Sequence, residues 1–160
     1  MSRFAGLKAD IDRELKNLER LVRSMSDLVK RIPPQGPTEI ELRAAGSLLH
    51  DFYTGLEKIF QRIALRVDGD LPVGEDWHLQ LLQRMASPLE DLRPQVITEE
   101  QAERLEEYLR FRHLFRNIYG FELRWDRCTP LVMGLEKLFH ELKAQVEQFK
   151  GFLDTVKNRG

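Results

Sequence analysis

Hydrophobic residues recur along this chain at intervals of three and four, and almost nowhere at intervals of two. Phe4, Leu7, Ile11, Leu15, Leu18, Val22, Met25 and Val29 form the first such series. That spacing stacks them on one face of a helix, predicted from about Ser2 to Arg31, with Arg, Lys, Asp and Glu filling the other faces. The run Pro33-Pro34-Gln35-Gly36-Pro37 stops it, because proline lacks an amide donor and glycine tolerates turns. Thr38-Glu39-Ile40-Glu41 then reads as a capping box, in which the threonine oxygen accepts from an orphan amide and the glutamate reaches back. The helix it opens carries Ala45, Leu48, Leu49, Phe52, Leu56, Ile59, Phe60 and Ile63. It ends near Val67, where Asp68-Gly69-Asp70, Pro72 and Gly74 mark a loop.

Trp77 through Leu82, with Met85, predicts a short helix stopped before Pro88, and residues 87–97 read as a connector. Thr98-Glu99-Glu100-Gln101 is a second capping box. It opens a helix that runs to about Gly120, whose glycine would serve as a C-terminal cap. Thr129 and Pro130 predict the start of the last helix, with threonine as the cap and proline at the first helical position. Its stripe is Leu131, Leu135, Leu138, Leu142, Val146, Phe149, Leu153 and Val156. Four long helices and one short one, without strand-like alternation or internal repeat, predict an all-α fold. An antiparallel up-and-down bundle, one domain over residues 1–160, buries four such stripes most economically. The second, fourth and last helices have broad apolar faces, which a second copy of the chain could cover.

Composition narrows the function classes. The 160 residues are 42% apolar, enough for one core. Lysine and arginine number 25 against 26 acids, so no general basic coat exists and an anionic polymer would need a local patch. Cys128, the single cysteine, cannot form an internal disulfide, and nothing points to an oxidising compartment. The first residues alternate charged and apolar types, unlike a signal peptide, and no run approaches the roughly 18 apolar residues of a membrane span. The expectation is a soluble cytoplasmic protein with no membrane partner and no cofactor.

One stretch carries unusual chemistry. Leu105, Leu109, Arg112, Arg116 and Tyr119 fall in one line along the fourth helix, with Tyr108 and Phe115 beside them. Two arginines therefore sit within an apolar stripe, one turn apart. As a like-charge pair they cost about 0.2–0.5 kcal/mol even on an open surface, and burial without a partner costs several times that. An anion should compensate: a carboxylate of this chain, a carboxylate of a second copy, or a phosphate. Pairing with acids on a facing helix would merely fix register. A phosphate would make a site. His113 lies one turn from Arg116 and Asn117, so its imidazole would share a cleft with the Arg116 guanidinium. A proton-transferring histidine beside an arginine fork suits metal-free RNA cleavage by internal attack of the 2′-hydroxyl. As plain structure, His113 is a half-exposed helical histidine and Tyr119 packs at a helix end.

The segment Leu109 to Gly120 resembles the HepT-like branch of the HEPN superfamily, the toxin half of HEPN–MNT toxin–antitoxin pairs. Supporting segments are His50-Asp51-Phe52-Tyr53 with Leu56 to Phe60, and Gly74 to Leu82; the resemblance covers about residues 38–155. It implies a HEPN-like helical bundle that forms a homodimer, a shared cleft, and a ribonuclease of the hydrolase class acting on RNA, tRNA included. It also implies an MNT-type nucleotidyltransferase antitoxin as partner. The family's nucleases carry an arginine, usually a polar residue after it, and a histidine some four to six residues beyond the arginine. Arg116-Asn117 resembles the start of that pattern, but Ile118 to Leu123 supply no histidine, and His113 lies before the arginine. The implied catalytic residues are Arg116, His113 and Asn117, and the implied RNA-binding residues are Arg112, Tyr119 and Arg110. Tyr119 lies near a tyrosine that the antitoxin modifies in some HepT-like toxins. The rival reading is a catalytically degenerate interaction module whose arginines form ion pairs and which binds a nucleotidyltransferase or another protein.

Other motifs carry less. Glu75-Asp76-Trp77-His78 has Glu-x-x-His spacing, but only one copy is present and no metal site is expected. His50-Asp51 and His140-Glu141 are adjacent on helices, so their side chains should diverge, with His50 bordering an apolar stripe. Trp77 and Trp125 read as core anchors, though Arg124 and Arg127 beside Trp125 suit RNA contact.

Overall fold

The structure, a computed structural model, describes residues 3–156, so the predicted helix start at Ser2 lies outside the described residues. Five α-helices follow in order: α1 Ala5–Arg31, α2 Glu39–Ile63, α3 Trp77–Met85, α4 Glu99–Asn117 and α5 Trp125–Thr155. Both predicted capping boxes form. The Thr38 oxygen accepts from the Glu41 amide and the Glu41 carboxylate accepts from the Thr38 amide. Thr98 and Gln101 repeat the arrangement on α4.

The four long helices pack antiparallel around one core. Leu7, Ile11, Leu15, Leu18 and Val22 of α1 meet Leu49, Phe52, Leu56 and Phe60 of α2, and Leu135, Leu138, Leu142, Val146 and Phe149 of α5 close the other side. Contacts along α5 show its direction against α1 and α4. Lys8 near the start of α1 pairs with Asp154 at the end of α5, and Lys150 pairs with Asp12. Arg104 early in α4 meets Glu141 midway along α5 at 2.8 Å, while Tyr108 further on reaches Leu131 nearer the start of α5. Where α1 and α2 cross, Gly55 leaves room for Leu18: a Cβ there would stand 2.8 Å from the Leu18 side chain. No helix among the described residues is long and apolar enough to cross a membrane.

Three boundaries differ from the periodicity. At the end of α2 the backbone widens into a π turn, Ala64–Asp68, closed by the Gly69 amide donating to the Ala64 carbonyl with Gly69 at φ 98°. The turn delivers Asp68 to Arg93 in the 87–97 connector, with Nε–Oδ1 at 2.5 Å and Nη2–Oδ2 at 2.9 Å. Arg93 also donates to three backbone carbonyls, so this fork staples the connector to α2 and α3. The last helix starts at Trp125, not at Thr129. The Arg124 carbonyl accepts from the Arg127 and Cys128 amides, and Cys128 is buried. Burial of Cys128 and packing of Trp125 against the core extend the helix backwards. Pro130 then lies inside it and forgoes one backbone bond near the N-terminus, where that loss is least disruptive. At the other side of this junction α4 ends at Asn117. Gly120 opens a 3₁₀ turn, Gly120–Glu122, and is not a left-handed cap. It is small for another reason: a Cβ would meet the Arg43 guanidinium at 2.7 Å.

Candidate functional site

The apolar stripe of α4 runs along a different line from the one expected. Gln101, Ala102, Leu105, Tyr108 and Phe111 are buried, with Phe115 packed against the core, whereas Arg116 and Tyr119 are exposed. The deciding contact is Tyr108, whose hydroxyl donates to the Leu131 carbonyl at 2.7 Å and so can be buried whole. This rotates α4 so that Arg112 faces inward and Arg116 outward. The two arginines therefore do not share an environment.

Arg112 is the inner one, its side chain 12% exposed. Its Nη1 donates to Glu57 Oε1 at 3.0 Å, and the guanidinium carbon lies 5.9 Å from the centre of the Tyr53 ring. The other Glu57 oxygen is 2.7 Å from His78 Nδ1. One buried carboxylate on α2 thus holds an arginine from α4 and a histidine from α3. A carboxylate already accepting from arginine is an acceptor on both oxygens, so Nδ1 carries the histidine proton. The His78 ring stacks on Trp77 with centroids 3.7 Å apart. Two buried polar atoms here, Tyr53 Oη and Arg112 Nε, have no hydrogen-bond partner. Desolvation, followed by the charge of Glu57, raises the Tyr53 hydroxyl well above its ordinary range, so it stays protonated. Nothing local in the α2 and α3 segments joins them to Arg112. The signal was a lone glutamate on the apolar face of α2, at Glu57, between Leu56 and Ile59.

The outer group is looser. Arg116, His113 and Asn117 are exposed, and Arg116 has no acidic partner among the described residues. Asn117 donates to the His113 backbone carbonyl at 2.6 Å, which leaves the imidazole uninvolved. Arg110 pairs with Glu106 on the helix surface at 3.4 Å. Beyond the helix end, Tyr119 and Phe121 stack nearly parallel, centroids 5.3 Å apart at 6°, although they are 71% and 66% exposed. Between the end of α4 and the start of α5 lies a pocket of about 250 Å³ lined by Phe111, Leu114, Ile118, Leu123, Arg127 and Cys128, among others. His50 and Asp51 do not diverge as expected: Nδ1 and Oδ1 approach to 3.4 Å, and the His50 ring lies 5.5 Å from Phe115. His78 turns to Glu57 and not to Glu75.

Residues 44–153 match the model of a family described as HepT-like protein. The match takes in both arginines, Glu57, His78 and the stacked aromatics. No curated protein and no solved structure matches the chain.

Proposed function

Because the chain belongs to the HepT-like family, we propose that it is the toxin of a HEPN–MNT toxin–antitoxin pair, a metal-independent endoribonuclease acting as a homodimer. The observation that carries this reading is the outer end of α4. An arginine without an acidic partner among the described residues stands three and five residues before two exposed, mutually stacked aromatic rings. Apolar rings left in water in a parallel stack offer faces to unpaired bases, and nearby cations hold the backbone of a single strand. Arg127 adds a second exposed guanidinium, and Arg43 lies against Gly120 between the rings. RNA laid along α4 would meet Tyr119 and Phe121 with its bases and Arg116, then Arg112, with its phosphates. Arg116 with Asn117 would grip the scissile phosphate, and His113 is the proton-transfer candidate on α4 itself. These groups lie on the exposed side of α4, and the second copy would supply the facing wall of the cleft. The family pattern can also be entered at Arg112: polar His113 follows, and Asn117 stands where the histidine is expected.

The test is incubation of the purified chain with tRNA and total RNA in chelator, beside Arg116→Ala and His113→Ala. Cleavage by wild type that Arg116→Ala abolishes is the expected result. No cleavage by wild type, or equal cleavage by all three, removes the nuclease.

A specific observation favours a second reading. Arg112 is already neutralised by Glu57 of its own chain, and neither arginine is followed by a histidine at the family spacing. On that reading the protein is a catalytically silent module that binds its nucleotidyltransferase. Stable binding of that partner by wild type and Arg116→Ala alike, with no RNA cleavage, would establish it.

A further inference from the structure

We infer that His78 is a further proton-transfer residue of the ribonuclease reaction proposed above, the base that takes the 2′-hydroxyl proton, an inference that rests on that reading. The three groups around Glu57 come from three helices, and they are arranged as a catalytic dyad with a phosphate ligand alongside. Glu57 Oε2 takes the Nδ1 proton of His78 at 2.7 Å, which fixes the tautomer and turns the basic Nε2 lone pair away from the carboxylate. Nε2 has no partner among the described residues and is not among the buried unpaired atoms, so it is open to solvent. The same holds for Arg112 Nη2, while Nη1 is fixed on Glu57 Oε1. One carboxylate therefore holds a part-exposed histidine base through one oxygen and a largely buried arginine donor through the other, each by a single nitrogen.

His113 has none of this. It is exposed, its imidazole has no carboxylate partner among the described residues to orient it, and only its backbone carbonyl is engaged by Asn117. A base that rotates freely loses the orientation on which proton transfer depends. Two features show that the inner group is not arranged for stability alone. Tyr53 Oη and Arg112 Nε are left buried and unpaired beside it. The His78 ring is also held from a second side by the Trp77 indole.

In the reaction, His78 Nε2 takes the 2′-hydroxyl proton as the 2′-oxygen bonds to phosphorus. The P–O5′ bond breaks, and the leaving 5′-oxygen takes a proton from water. Arg112 Nη2 donates to a non-bridging phosphate oxygen as charge builds there. The products are a 2′,3′-cyclic phosphate and a 5′-hydroxyl, and the histidine returns its proton to solvent.

The test compares wild type, His78→Ala and the exposed control His140→Ala on a single-stranded RNA in chelator, with and without added imidazole. Thermal unfolding confirms that each variant is folded. The expected result is a loss of about 100-fold or more in His78→Ala, partial recovery with imidazole in that variant alone, and near wild-type cleavage by His140→Ala. Wild-type cleavage that His78→Ala leaves unchanged, or a loss in folded His78→Ala that imidazole does not restore, overturns the inference and leaves the nuclease standing. Absence of cleavage by wild type removes the nuclease reading and this inference with it.

Discussion

The two arginines of α4 are one turn apart and chemically identical, yet the fold treats them oppositely. Arg112 is largely buried and donates through one nitrogen to a buried glutamate that also holds a histidine. Arg116 stands exposed with no acid among the described residues to meet it. The first arrangement makes a rigid, oriented group at the cost of desolvating charges. The second keeps a cation available to a partner at almost no cost to stability. A site that must both bind a flexible polymer and orient a reacting group needs both kinds.

Four measurements would break or sharpen that contrast. The largest effect belongs to Glu57→Ala, which strands Arg112 beneath the surface and should destabilise the fold by about 3–5 kcal/mol in urea unfolding. Replacing the pair together, Glu57→Leu with Arg112→Met, should recover most of that loss, since no lone charge remains. A single-variant loss below about 0.5 kcal/mol would mean that Arg112 is as solvated as Arg116. Next, Tyr119→Ala and Phe121→Ala should leave unfolding unchanged but weaken single-stranded RNA binding by about 1–3 kcal/mol each in a fluorescence titration. Unchanged affinity would reduce the outer end to bare charge.

The third concerns Cys128, in the wall of the pocket between the end of α4 and the start of α5. Burial, and then the charge of Asp126, push its thiol up from 9.0 to about 11. The native state thus keeps a proton that the unfolded chain releases, so the contribution is full below pH 9 and is lost as pH rises towards 11. The stability of wild type relative to Cys128→Ala should fall by of order 1–2 kcal/mol over that window. A flat difference would show that the pocket opens and wets the thiol. The smallest effect is on Arg116→Ala, whose unfolding free energy should stay within about 0.5 kcal/mol of wild type. Its RNA affinity should fall and depend less steeply on salt. A larger stability change would mean that Arg116 has a partner within the fold.

The helices were legible because their signals are local. Spacing of apolar residues, Thr38 and Thr98 as caps and the proline run after Arg31 act over a few residues, and each forms as read. The end of α4 and the start of α5 depart from the local signals of Gly120 and Thr129-Pro130. Burial of Cys128 draws the start of α5 back to Trp125, and Gly120 enters a 3₁₀ turn.

What the sequence determined by itself is an all-helical chain with a cationic, aromatic stretch at the end of its fourth helix. Which arginine turns inward was left to the tertiary structure, because near Arg112 the stripe can pass on either side. The choice falls to a hydroxyl finding the Leu131 carbonyl and a carboxylate 55 residues away in the chain. Glu57 and His78, 21 residues apart and on different helices, share no local signal. Only packing α3 and α4 against α2 brings them to one another, and with them the proposed chemistry.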